Sequence, residues 1–452
     1  MRTIIIFAAC FIVLSSCKKQ EEWLDVKSNR SDVTPKTLKD LQALLDYPDY
    51  MNDFHPGGPL LGSDCYYVSY NTWQAEVTYA KNAYVWKADD FYAGSVNAND
   101  WSSPYVCVEY CNIVLEGLQK IARTPENQAA WDNCKGSALF YRAFAFFNLA
   151  TTYAKPFKAA SADTDLGIPL RLSADVNERS VRASVKETYS RITDDLKDAS
   201  ALLPAAALYQ TRPTTFAAHA LLARVCLSME DYANAGLYAD KALSGPYKLI
   251  DFNSLSTTAS YSMPVYPNHP EVIFYAKGST SAFNTLNGIV DSTLYRSYAS
   301  NDLRKTMLYS SVPAFKGSYT GSLSIFNGLA INEQYLIRAE AAARAGNIVA
   351  AMQDLNTLLG KRWRNNTFSP LTAANANAAL DMVIAERRKE LPFTGTLRWI
   401  DLRRLNNDGR YAITLTRILN NQVYTLPPND ARYVLPIPDI EIRLSGIEQN
   451  VR

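Results

Sequence analysis

Two stretches of this chain share one pattern. Residues 218–243 read AHALLARVCLSMEDYANAGLYADKAL, and residues 334–359 read QYLIRAEAAARAGNIVAAMQDLNTLL. Aligning Ala223 with Ala339 places Ala235 on Ala351, Tyr232 on Ile348 and the pair Glu230-Asp231 on Gly346-Asn347. Each stretch reads as two helices joined by a short polar turn, and alanines at this spacing let antiparallel helices approach closely. This is the helix-turn-helix unit of tetratricopeptide-like repeats, which buries its apolar face only by stacking on neighbours. The repeat predicts a mostly α-helical fold with such helix pairs as its scaffold.

The rest of the chain agrees. VTPKTLKDLQALLD (33–46) predicts a capped first helix, with Thr34 as N-cap, Pro35 in the first turn and Leu38, Leu41 and Leu45 on one face. Helical periodicity returns over 105–122, 133–153 and 184–203. Two irregular regions interrupt the helices. One follows the polar loop MNDFHPGGPLLGSD; the other, 246–332, is rich in Ser, Thr, Asn, Gly and Tyr and holds one strand-like run, EVIFY at 271–275. The final segment RYVLPIPDIEIRLSG carries Pro436 and Pro438 in an apolar run, which predicts an extended edge or a surface-hugging tail.

The N-terminus begins MRTIIIFAACFIVLSSCKKQ, with a 12-residue apolar stretch at 3–14. A membrane-spanning helix needs about 20 residues, so this stretch fits the apolar part of an export signal. It ends in Leu14-Ser15-Ser16-Cys17, which looks like a bacterial lipobox. Residues 1–16 are then the signal and Cys17 carries the lipid, so the mature chain is anchored to a membrane rather than inserted in it.

Several chemistries find no foothold. With 46 basic against 44 acidic residues, the net charge of +2 gives no electrostatic footprint for nucleic acid. Beyond Cys10 and Cys17 there are five cysteines (Cys65, Cys107, Cys111, Cys134 and Cys226), an odd number that excludes a complete disulfide framework. Cys107 and Cys111 lie four apart with no histidine nearby, whereas structural zinc wants four ligands in paired spacing. They read as buried core cysteines, and no metal or cofactor is expected. ERRKELPFTGTLRWIDLRRL (386–405) carries six basic and three acidic groups. Its acids interleave with its bases at helical spacing, so the charges read as pairs holding two helices and a turn around Trp399. No Gly-rich phosphate loop, G-x-S-x-G elbow or H-E-x-x-H motif occurs, and the adjacent Asp89-Asp90 point apart as in a solvated turn. Nothing marks an enzyme.

Several phrases together resemble the SusD/RagB family in order and spacing. They are GSALFYRAFAFFNLATTYAKPF, TDLGIPL, RSVRASVKETYSRITDDLKDASALLP, RPTTFAAHALLARVCLSMEDYANAGLYADKAL, ERRKELPFTGTLRWIDLRR and VLPIPDIEI. The KKQEE after Cys17 is similar to the surface-export signal of Bacteroidetes lipoproteins. Two positions depart from the pattern: Ala154 stands where glycine is usual, and Ser445-Gly446 precedes Ile-Glu-Gln-Asn where Asn-Pro is common. The resemblance implies a SusD-like helical region over 17–252 and a RagB/SusD region over 253–452. It implies a surface-exposed outer-membrane lipoprotein that captures nutrients, usually glycans, for a SusC-type TonB-dependent barrel, with long irregular loops carrying the ligand site. A peptide-capture lipoprotein of the same fold is the alternative, and a surface hydrolase a more distant one.

The irregular region after the first helix suits that role. Residues 63–73 read SDCYYVSYNTW, and 66–101 hold ten aromatics. A core usually prefers aliphatics that need no hydrogen-bond partner, whereas Tyr and Trp offer a flat apolar face with a polar tip, which matches the faces and rims of sugar rings. The expected ligand residues are Tyr66, Tyr67, Tyr70, Trp73 and Trp86, with Asp64 and Asn71 fixing hydroxyls. Tyr266 and Phe283 would supply an opposite wall.

Overall fold

A computed structural model describes residues 35–53, 56–94, 99–267, 269–278, 288–310 and 314–452. Cys17, the signal segment, Thr34 and Phe283 lie outside the described residues. The helices run as α1 (Leu38–Leu45), α2 (Pro48–Met51), α3 (Gly58–Gly62), α4 (Tyr70–Ala75), α5 (Thr78–Tyr84), α6 (Asn99–Leu118), α7 (Gln128–Tyr153), α8 (Val185–Leu202) and α9 (Thr215–Ser228). They continue as α10 (Tyr232–Leu243), α11 (Ser292–Ser297), α12 (Arg304–Leu308), α13 (Ile331–Arg344), α14 (Ile348–Leu359), α15 (Ala376–Glu390), α16 (Leu397–Leu405) and α17 (Asp439–Ser445). Among the described residues, none is long and apolar enough to cross a membrane.

α7 is the centre of the fold. From Gly136 to Tyr153 it is buried on every side, as a helix that is apolar all round must be. Arg142 on α7 forms a buried bidentate pair with Asp195 on α8, at 2.8 and 2.9 Å, and also donates to the Asn112 side chain on α6 at 3.0 Å. α8 starts where Ser184 and Glu187 form a reciprocal capping box. α1 begins at Leu38 rather than one turn earlier, because Thr37 and Asp40 make the capping box there; Pro35 precedes the helix.

The two repeats are α9–α10 and α13–α14, and they match in detail. Glu230 and Gly346 both take left-handed backbone conformations, with φ of 61° and 79°. Asp231 and Asn347 each cap the following helix by accepting from the backbone N–H three residues on. Ala223, Ala235, Ala339 and Ala351 are fully buried, as their spacing predicts. α10 packs on α13, so that a Cβ added at Gly236 would come within 2.9 Å of Ala341 Cβ.

The charged residues of 386–405 stand in ion pairs, except Arg403, which donates to the carbonyls of Thr151 and Ala154. Arg387 and Arg404 both bond Asp401, at 2.8 and 2.9 Å, and Arg404 reaches Glu340 on α13 at 2.6 Å. Burial alone would raise the Asp401 carboxyl, but Arg387 and Arg404 beside it hold it below the usual range. Removing one partner from such a set would leave a buried charge uncompensated. The five described cysteines are all buried and free.

Strands β1 (Tyr66–Tyr67), β2 (Leu166–Pro169), β3 (Arg182–Ser184), β4 (Val272–Phe274), β5 (Lys277–Gly278), β6 (Ile289–Val290), β7 (Ile325–Phe326), β8 (Leu329–Ala330), β9 (Leu415–Leu419) and β10 (Gln422–Leu426) pair only two at a time among the described residues. The antiparallel pair β1–β6 sets Tyr66 opposite Val290 and Tyr67 opposite Ile289, tying the aromatic stretch to the second irregular region. β9 and β10 form a hairpin turned by Asn420 and Asn421, both at positive φ. The proline-bearing tail differs from expectation: past Pro438 it forms α17, ended by Gly446 in the left-handed region.

Candidate functional site

The aromatic stretch divides into a surface group and a buried group. α4 makes the surface group. Ser69 Oγ accepts from Thr72 N at 3.1 Å and starts the helix, and spacing of three then brings Tyr70 and Trp73 side by side. Their rings stack at 5.8 Å with 27° between planes. Trp73 Nε1 donates to the Lys81 carbonyl on α5 at 3.1 Å, which fixes the indole. Gln74 Nε2 donates to the Tyr70 hydroxyl at 2.6 Å. Both rings are half-buried, Asn71 is exposed beside them, and Tyr67 in β1 is 42% exposed. Tyr70 and Trp73 thus present a stacked, half-buried pair of rings at the surface, Trp73 held by a backbone carbonyl and Tyr70 by the Gln74 side chain.

The buried group corrects the expectation for three residues. Tyr66 and Trp86 are only 3% and 2% exposed. Trp86 Nε1 donates to the Gly62 carbonyl at 2.9 Å, and the Tyr66 hydroxyl donates to the Leu61 carbonyl at 3.2 Å. Both rings face Arg417 from β9, together with Tyr84. Asp64 accepts a bidentate pair from Arg398 at 2.6 and 2.7 Å and a further contact from Arg388 at 3.0 Å. Burial would raise its carboxyl, but Arg398, Arg388 and Arg417 hold it well below the carboxylate range. It stays ionised as an anchor between the aromatic stretch and α15–α16, with its oxygens already engaged.

Tyr266 is half-buried, with its ring 4.6 Å from that of Tyr275. No described contact brings it to the Tyr67–Trp73 group; the second irregular region reaches that group through Ile289 and Val290 instead. Arg388, Arg398 and Arg417, which organise the whole region, were not singled out as its partners from sequence. Their only signal was an excess of arginine far along the chain.

The surface patch can stack and hydrogen-bond, and it brings together no nucleophile with a base. Among the described residues, no cluster of three or more His, Cys, Asp or Glu could hold a metal ion.

A family profile described as "Starch-binding associating with outer membrane" matches residues 22–227, and one described as "SusD family" matches 331–451. No curated protein sequence matches the chain. Among solved structures, a protein of Bacteroides vulgatus ATCC 8482, provisionally described as sugar binding, superposes with a TM-score of 0.72 at 22% identity, covering 93% of this chain and 99% of its own. A SusD superfamily protein of Bacteroides thetaiotaomicron VPI-5482 gives 0.70 at 19%, covering 92% and 100%. A SusD-like carbohydrate binding protein of Bacteroides vulgatus ATCC 8482 gives 0.67 at 21%, covering 91% and 97%. With both profiles matched in chain order on the same helical architecture, the chain belongs to the SusD/RagB family.

Proposed function

We propose that this protein is a non-catalytic outer-membrane lipoprotein that captures oligosaccharides and hands them to a SusC-type TonB-dependent transporter. The observation that carries the reading is the stacked Tyr70–Trp73 pair on α4, with the exposed Asn71 on the same helix and the exposed Tyr67 shortly before it in the chain. A sugar ring laid on such a surface buries its C–H face, while the phenol hydroxyls and the Asn71 amide meet its rim. Little entropy is lost, because Trp73 is already fixed by its bond to Lys81. The outer-membrane description of the matched profile and the sugar-binding descriptions of two structural relatives support the same reading. Surface anchoring through Cys17 and a division into regions 17–252 and 253–452 belong to this proposal.

The test is calorimetry of the purified chain against a panel of oligosaccharides and peptides. Trp73→Ala and Tyr67→Ala should each weaken glycan binding about tenfold, which is about 1.4 kcal/mol. Tyr67→Ala should do so with the thermal midpoint almost unmoved, since the ring is exposed. Unchanged affinity in both variants would remove the patch from the site, and binding of peptides without sugars would overturn the choice of ligand.

A further inference from the structure

A cavity of ≈ 360 Å³ lies between α6, the loop after β2 and the first turn of α17. It shares no residue with the stacked Tyr70–Trp73 pair. Small-molecule sites typically start at about 300 Å³. One face of α6 lines it over about two turns, through Trp101, Tyr105 and Val108 and, beside them, Ser102, Val106 and Glu109. The Trp101 and Tyr105 rings lie 5.0 Å apart; Trp101 is buried and Tyr105 half-buried.

The opposite wall is fixed in advance. The Tyr105 hydroxyl donates to the Pro169 carbonyl at 2.9 Å, where β2 ends. Asn112, fully buried on α6, donates to the carbonyls of Arg171 and Ser173, both at 3.1 Å. Ala174 N donates to the Glu116 carboxylate at 2.8 Å. Arg171 in turn donates to the carbonyls of Asp175 and Glu178, which folds the loop back on itself. A cavity walled in this way loses little freedom when a ligand enters.

Charge in the lining is unequal. Two carboxylates, Glu109 and Glu441, stand against one guanidinium, Arg171, whose terminal nitrogens are taken by the loop carbonyls. Among the described residues, neither carboxylate has an ion-pair or hydrogen-bond partner, and both side chains are half-buried. Burial raises the Glu109 carboxyl, and Arg171 opposes this only through space. Burial also raises the Tyr105 phenol, and Glu441 stands near enough for its charge to add to the effect. Arg182, near the same hydroxyl, is spent on the carbonyls of Gly167, Leu166 and Glu448. A partly desolvated carboxylate without a counter-charge gains most from a full positive charge, and aromatic faces attract cations.

We propose that this cavity binds a small organic cation, an ammonium group on a compact apolar body. Glu109 and Glu441 supply the counter-charge, and Tyr105, Trp101 and Val106 receive the apolar body. The site is separate from glycan stacking and stands whether or not the Tyr70–Trp73 pair binds sugar.

The experiment titrates the purified full chain near neutral pH and at low ionic strength with n-butylammonium, with choline and with n-butanol as a neutral control, read by calorimetry. At least one of the two cations should bind saturably at one site. Tighter binding of butylammonium identifies a head group that donates N–H bonds to the carboxylates; tighter binding of choline identifies one held by the rings and by charge alone. Butanol should bind at least about tenfold more weakly than the better cation. Glu109→Gln and Glu441→Gln each remove a charge with no partner, so both variants should fold with the thermal midpoint almost unmoved. Each should weaken cation binding about tenfold. Absence of saturable binding by both cations, butanol binding as tightly as they do, or undiminished binding in both variants would overturn the proposal.

Discussion

The guanidinium of Arg417 lies 4.0 Å from the centre of the Tyr84 ring. Tyr66 and Trp86 close the box at 5.4 Å each. Arg417 also donates to the carbonyls of Ser63 and Tyr66, so both its charge and its fork are used. The protein thus fills its own aromatic cage with a side chain from the β9–β10 hairpin. Arg417→Ala should therefore lower stability by about 3 kcal/mol, the scale of losing a buried charged hydrogen-bonding group. Urea unfolding measures it; a loss below about 0.5 kcal/mol, as for an ordinary surface change, would show that the cage does not need its cation.

Two histidines set an acid limit. Burial lowers His219 to about 4 and His269 to about 3, with Lys241 and Arg362 adding to the effect. Unfolded histidine titrates near about 6.5. Both native values are depressed, so the stability they carry is full above about 6.5 and is lost as pH falls through the window down to the native values. Where the unfolded chain holds the proton and the native one does not, the buried His269 contributes a slope of about 1.4 kcal/mol per pH unit, and the half-buried His219, screened by solvent, contributes less. Urea midpoints between pH 7 and 5 should fall accordingly, and His269→Gln should remove most of that fall. A flat profile over this range would contradict the burial of His269.

The repeat joint should resist enlargement. Ala235 is fully buried against Ala223, Ala239 and Ile337, where an added ring has no space. Ala235→Phe should cost about 1–3 kcal/mol. Leu237→Phe, two residues along the same helix and exposed, should cost close to nothing. Equal losses at both positions would mean that α10 does not rest on α13 through its alanine face.

Anchoring makes a separate prediction. Cys17→Ala should abolish lipid labelling and release the protein from the outer membrane into the soluble fraction. A variant that is still labelled and membrane-bound would remove Cys17 as the acceptor.

The helical scaffold was legible because its signals are local. Alanine spacing gave both hairpins, and even the turn alignment of Glu230 with Gly346 and Asp231 with Asn347 reappears in backbone angle and capping role. Within 386–405, Arg387, Lys389 and Arg404 pair with acids of the same segment, as their spacing predicts, whereas Arg388 and Arg398 pair with the distant Asp64 and Arg403 bonds backbone carbonyls. The aromatic stretch was not legible, because what separates Trp86 from Trp73 is not composition. Trp86 is buried because Arg417 reaches it from a hairpin late in the chain, and Asp64 is occupied because Arg398 stands 334 positions away. Short-range pattern cannot carry such information. Prolines in an apolar run predict an extended tail, but Pro438 stands just before α17, where a proline does not interrupt the helix.

The clasp between Asp64 and Arg398 also sets how this scaffold can change. Helices α6 to α10, α13 and α14 pack in series, each on the next, as in a solenoid, and an open solenoid can gain or lose a repeat because each unit touches only its neighbours. Here an early segment is fastened to later ones by a part-buried bidentate pair and by the β1–β6 ladder. Inserting or deleting one hairpin would pull that fastening out of register. The repeat number is therefore locked, and the surface segments are where such a chain can diversify.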